Sequence, residues 1–194
     1  MKKLVIKSVV ITLACVVAVG AIAYILLVTV FPGALASIYG NMGGYEQAAR
    51  YEINAYDKSG NVLSIVAAGD YAVKSGKDEL IVATVDKFIS DDEYGDYTKN
   101  NASHSAFLTS KYIVARYNTE GGGQAVVDKA FSMLLGYDSH NQVESLLVAA
   151  YDKGDADTLR LISVGLDLLD TSAFSEDQLA VLNRDKEVVQ KALS

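Results

Sequence analysis

Ser8 to Phe31 run without a charged residue, reading SVVITLACVVAVGAIAYILLVTVF. At about 1.5 Å rise per residue, a helix of this length covers roughly 36 Å, enough for a hydrocarbon core of about 30 Å. The pattern predicts a transmembrane helix over 8–31. Beyond it, apolar residues recur at helical spacing. Val62, Ile65, Val66 and Val73 form one stripe, and Ile81, Val85, Phe88 and Ile89 a second. Val143, Leu146, Leu147 and Ala150 form a third, and Leu159, Ile162, Leu166 and Leu169 a fourth. Asn-Gly and Asp-Gly hairpin signals are absent, and few segments alternate over strand lengths.

The single proline is Pro32, at the end of the span, so nothing beyond it removes a backbone donor from a helix. Ser139-His140-Asn141-Gln142 and Ser175-Glu176-Asp177-Gln178 fit the capping box, and Phe174 with Leu179 is placed as its staple. Gly60, Gly76, Gly136 and Gly154 stand where helices should stop, because glycine accepts the left-handed conformation of a helix end. Helices are predicted over 41–58, 61–74, 78–90, 103–118, 123–135, 140–152, 156–169 and 176–192. The expected fold is all-α, a single N-terminal transmembrane helix followed by an antiparallel helical array.

Charge adds an orientation. Lys2, Lys3 and Lys7 precede the span and no Lys or Arg follows until Arg50, which places residues 1–7 in the cytoplasm and the rest outside. The expected organisation is a cytoplasmic N-terminus 1–7, a signal anchor 8–31, a linker 32–40 and an extracytoplasmic helical domain 41–194. Ala34-Leu35-Ala36 is a small-x-small site, so cleavage after Ala36, giving a secreted form, is the competing reading. Leu13-Ala14-Cys15 is a poor lipobox, because further uncharged residues follow where a polar tether belongs. Ala14, Ala18 and Ala21 place small residues near one face of the anchor, a spacing that lets membrane helices approach closely.

All 24 acidic residues follow the span, against 17 basic residues less the three that precede it, so the outer part carries −10. That balance argues against nucleic acid and against tight docking on anionic lipid. The only Cys lies in the span, so the outer domain has no disulfides, which suits an outward-facing bacterial protein. Asn101-Ala102-Ser103 matches a glycosylation sequon and, on that reading, is accidental.

Helix ends repeat. Ala55-Tyr56-Asp57-Lys58-Ser59-Gly60 returns as Ala150-Tyr151-Asp152-Lys153-Gly154, with looser copies at Tyr71 and Tyr117. Tyr117 to Tyr151 is 34 residues, and Tyr71 to Tyr117 becomes 34 when Ser90–Asn101 is set aside as an insertion. Tyr45-Glu46-Gln47-Ala48-Ala49-Arg50-Tyr51-Glu52-Ile53-Asn54-Ala55-Tyr56 resembles the second helix of a tetratricopeptide repeat, with Ala48 and Ala55 at the small positions where paired helices touch. The resemblance covers that helix and otherwise rests on the period; the family's Trp and repeat-ending Pro have no counterpart. It implies an α-solenoid with a concave face for peptides or proteins; a plain helical bundle is the alternative.

Candidate chemistry is sparse. His104 and His140, the only histidines, sit at predicted helix starts and are expected to be neutral and solvent-facing. No zinc-binding spacing exists. Counted from Asp91, the acidic loop puts Ala102 where a calcium-binding EF-hand loop needs Glu, so it reads as a charged connection. Gly121-Gly122-Gly123 lacks the Lys-Ser or Lys-Thr of a phosphate loop and reads as a flexible joint. Tyrosines interleave with acids, and Tyr94 and Tyr97 in the insertion are the candidate partner-binding residues. No catalytic, metal or cofactor-binding residue is assigned. The expected function is a non-enzymatic, membrane-anchored extracytoplasmic scaffold for a protein partner, in an envelope or secretion assembly. The alternatives are an envelope glycan hydrolase using two carboxylates and an accessory subunit acting through its transmembrane helix.

Overall fold

The computed structural model describes residues 2–194, with side chains from Val10 onward. The predicted cytoplasmic flank 1–7, with Lys2, Lys3 and Lys7, lies outside the described side chains. Among the described residues the chain forms eleven α-helices and no strand. They are α1 Lys2–Val30, α2 Pro32–Asn41, α3 Tyr45–Ser59, α4 Val62–Ser75, α5 Asp78–Ile89, α6 Tyr94–Asn100, α7 Ala102–Glu120, α8 Gln124–Ser132, α9 Gln142–Lys153, α10 Ala156–Leu168 and α11 Glu176–Leu193.

One described helix is long and apolar enough to cross a membrane. It covers Val10–Val30 with a mean hydropathy of 2.7, and none of it is buried. Pro32 does not simply end it. Proline's fixed φ and missing N–H suit the first turn of a helix, and Pro32 opens α2 with only Phe31 between it and the end of α1. The stretch expected as a linker over 32–40 is therefore helical, and its Leu35 and Ala36 are buried.

From α2 onward the helices pack chiefly on their chain neighbours: α2 on α3, α3 on α4, α4 on α5, α5 on α7, α7 on α9, α9 on α10 and α10 on α11. All four hydrophobic stripes face inward, and one core runs from Ala49 of α3 to Val189 of α11. Gly60, Gly76 and Gly154 close α3, α4 and α9 in the left-handed conformation. The Ser175–Gln178 capping box forms, with Gln178 N donating to Ser175 Oγ at 3.2 Å and Ser175 N to Gln178 Oε1 at 3.0 Å.

The other box does not form. Asn141 caps α9 instead, its Oδ1 accepting from Glu144 N at 2.9 Å. Gln142 turns inward and donates to Thr109 Oγ1 at 2.6 Å, so it cannot reach back to Ser139. His140 takes a left-handed φ of 64°, and its N–H is held by Glu144. Upstream, α8 stops at Ser132 rather than near 135, and Tyr137 leaves the helix to become fully buried. The segment between α8 and α9 is thus longer and less regular than the sequence predicts.

Gly122 is more than a flexible joint. A Cβ there would overlap Thr158 Oγ1 and Asp155 Oδ2 and stand 3.1 Å from the Tyr117 ring. The Asp155 carboxylate caps α10, its Oδ1 accepting from Thr158 N at 3.0 Å and its Oδ2 from Thr158 Oγ1 at 2.7 Å. Gly122→Ala is expected to cost about 1–3 kcal/mol, since overpacking forces neighbours off their rotamers. A thermal melt checks this against Gly95→Ala, a site where an added Cβ meets nothing within 4 Å.

Candidate functional site

The tyrosine and aspartate enrichment resolves into struts between helices. Tyr56 Oη donates to Asp91 at 2.7 Å, Tyr112 to Asp86 at 2.5 Å, Tyr117 to Asp155 at 3.0 Å and Tyr137 to Asp185 at 3.0 Å. The Asp91 hydrogen bond pushes the Tyr56 phenol up to about 12. Burial, then the carboxylate partner, does the same for Tyr117. These phenols stay protonated and donate at any physiological pH. The acidic loop is held the same way: Asp91 Oδ2 takes Tyr56, while its Oδ1 accepts from Glu93 N at 2.8 Å.

Tyr94 and Tyr97 lie on α6, half-buried, with both rings edge-on to Phe88 at centroid distances of 5.0 and 5.4 Å. Tyr97 Oη meets His104 Nδ1 at 2.8 Å, and His104 Nε2 meets Asp70 Oδ1 at 2.8 Å. Burial, then Asp70, raises the Tyr97 phenol, which keeps its hydroxyl a donor facing the imidazole. His104 is consequently a bridge between α4, α6 and α7 rather than a lone solvent-facing imidazole. The sequence hides this link, because Asp70 and His104 stand 34 residues apart.

A groove of about 660 Å³ lies elsewhere, between the start of α7, the irregular segment before α9, and α11. Ala102 and Ala106 hollow the α7 face, Phe107 and Leu135 form apolar walls, and Lys111 supplies a cation. Phe107 is 44% and Leu135 62% exposed. Ser110 Oγ donates to His140 O at 2.9 Å and fixes the far rim. Tyr94 and Tyr97 do not line it. Sequence reasoning missed Phe107, Lys111 and Leu135; the only signal is the Phe107–Lys111 pair one helical turn apart, Nζ lying 5.9 Å from the ring centroid. A smaller groove of about 290 Å³ separates α8 from α10 beside Phe131, Val164 and Leu168.

Among the described residues, no group of three or more His, Cys, Asp and Glu is placed to share a metal ion. Every buried side-chain N and O atom among them has a hydrogen-bond partner.

Asp185 is 2% exposed and accepts from Tyr137, while Arg184 bridges it to Glu144. Burial raises the Asp185 carboxyl, and the Tyr137 and Arg184 donors counter part of that rise. A folded pKa above the unfolded value gives stability that is present at acid pH and lost as pH rises through the folded value. Tyr137→Phe removes one countering donor, so the carboxyl rises further. The variant is expected to lose about 1–3 kcal/mol near neutral pH, the usual cost of an under-satisfied buried group, and less near pH 4. Denaturant unfolding at both values checks the sign.

Comparison of the chain with protein-family models, curated proteins and solved structures gives no match. The functional reading therefore rests on the chain's own geometry.

Proposed function

We propose that this protein is a membrane-anchored scaffold whose helical domain sits outside the cytoplasmic membrane and binds a protein partner in the groove between α7 and α9. The observation that carries the reading is a groove with exposed apolar walls on an array joined to an apolar helix by a single residue. Phe107 and Leu135 offer the apolar contacts, and the polar rim offers the hydrogen bonds, that an extended peptide uses. Asp138 is the one carboxylate lining the groove, whereas glycoside hydrolysis needs a facing pair. That difference favours binding over the hydrolase reading.

Packing in chain order supports the solenoid reading over the plain helical bundle, as in tetratricopeptide-like stacks where each hairpin meets its neighbours. The basic flank supports a cytoplasmic N-terminus. Burial of Leu35 and Ala36 within α2 favours an uncleaved anchor over release after Ala36. Anchoring confines the groove near the membrane and raises its effective concentration for neighbouring membrane proteins.

A photo-crosslinking residue at position 107, in the full-length chain and in a version carrying an unrelated anchor, tests this in native membranes. Discrete adducts with both chains, absent when the probe sits at exposed Tyr151, are the expected result. Adducts lost on swapping the anchor would move recognition into α1. No adduct from position 107 would overturn the groove as the binding site.

A further inference from the structure

The uncharged part of the chain does not end with α1. It continues through all of α2 and the turn after it, and the first charged residue is Glu46. On this stretch Phe31, Ile38 and Met42 are 60%, 49% and 78% exposed. Ile38 and Met42 stand four residues apart, one helical turn, at the C-terminal end of α2, and the buried Leu35 lies one turn before Ile38 on the same side. The domain leaves about half or more of each of these three side chains uncovered.

The direction of α2 follows from two contacts between α1 and α3. Tyr24 Oη pairs with Tyr51 Oη at 3.1 Å. Lys58 Nζ donates to Thr29 O at 2.8 Å and to Val28 O at 3.3 Å. Residue numbers rise in the same sense on both helices, so α3 advances away from the membrane alongside the end of α1. Helix α2 packs on α3 and joins it through Met42–Gly44 alone, so it runs the opposite way. The chain leaves α1, turns at Phe31–Pro32 and heads back toward the bilayer. A ten-residue helix covers about 15 Å, which carries Ile38 and Met42 down to the level of the last turns of α1.

From this arrangement we infer that the α2–α3 hairpin tip, with Ile38 and Met42, is embedded in the headgroup–acyl boundary of the same bilayer that α1 crosses. The inference rests on the anchor reading and deepens it. The occupant is lipid because the span delivers the tip to the bilayer, residues 32–45 carry no charge, and the first charges beyond them, Glu46 and Arg50, neutralise each other in an ion pair at 3.0 Å. An apolar helix face lying in the interface is bound by its buried area, and no anionic lipid is required of an acidic domain. Tyr24 and Tyr51 then sit at the depth where tyrosines anchor proteins to the interface. The hydrocarbon part of the span ends near Tyr24 instead of Phe31, and the domain stands in one fixed orientation with its first hairpin as the foot.

The chain contains no Trp, so one introduced indole is an unambiguous depth probe. Full-length Ile38→Trp, Met42→Trp, Val17→Trp and Leu168→Trp variants are reconstituted in phosphatidylcholine vesicles and compared with vesicles of bromine-labelled phosphatidylcholine. Circular dichroism confirms that each is folded. The inference expects strong loss of emission at positions 38, 42 and 17, a blue-shifted maximum at 42, and no loss at 168, which is 80% exposed on α10. These effects should persist at high salt. Quenching at 17 with iodide-accessible, lipid-insensitive indoles at 38 and 42 would leave the anchor standing and overturn the embedded tip. Indoles at 38 and 42 shielded from both quenchers would assign the face to protein, a second copy included, and also overturn it. An unquenched indole at 17 would overturn the anchor reading itself.

Discussion

Phe88→Ala is expected to destabilise the domain by about 3–5 kcal/mol, the range for removing a buried aromatic ring. Phe88 is 1% exposed at the end of α5, and it is the common partner of Tyr94 and Tyr97. Helix α6 has seven residues and no side-chain N-cap bond, too little to persist without packing. Its loss would also release Tyr97 from His104 and so loosen the bridge to Asp70. Unfolding by denaturant gives the energy. Hydrogen exchange across 94–100 shows whether α6 opens before the rest, which is the order expected. The milder Tyr94→Ala should cost less, because Tyr97 and Phe88 still pair.

The second large effect concerns where the domain begins. A chain starting at Ser37 lacks Pro32, Leu35 and Ala36, the buried residues of α2, and loses the packing they bring to α3. Loss of Leu35 alone is worth about 2–5 kcal/mol by analogy with large-to-small core changes. A chain starting at Pro32 keeps all of these contacts. The 32–194 fragment should melt cooperatively in mild detergent, and the 37–194 fragment should melt many degrees lower or aggregate. Equal melting of the two would show that α2 contributes nothing, and cleavage after Ala36 would regain its footing.

The sequence reveals this architecture where burial is periodic. The stripes through Ile65, Val85, Leu146 and Ile162 predict their helices because each needs a 3.6-residue repeat against one core. Helix α2 has no such signature. Its exposed face carries no charge to contrast with Leu35 and Ala36, and Pro32 reads as a stop when it is in fact a start. Helix α6 is concealed by brevity, with two aromatics one turn apart in a polar stretch. Ser139 satisfies the capping pattern, yet Asn141 wins because Gln142 is drawn inward to Thr109, a contact fixed by tertiary packing.

The groove is less legible than the fold for a related reason. Its walls come from Phe107 on α7 and Leu135 in a segment that unwinds so that Tyr137 can reach Asp185, and no local pattern encodes that pairing. Tyrosine enrichment drew attention to Tyr94 and Tyr97 because aromatic rings among polar residues are common at binding surfaces. In the structure their rings face Phe88, and the Tyr97 hydroxyl is occupied by His104.

The central claim, a helical domain held outside the cytoplasmic membrane by α1, is tested most directly by labelling Leu168→Cys with a membrane-impermeant maleimide in intact cells. The native Cys15 is replaced by Ser in that chain, and the membranes are washed in alkaline carbonate before analysis. The account predicts a full-length chain that labels from outside and stays in the washed membrane. Labelling only after the cells are broken would contradict the orientation, and release of the labelled chain by carbonate would contradict the anchor.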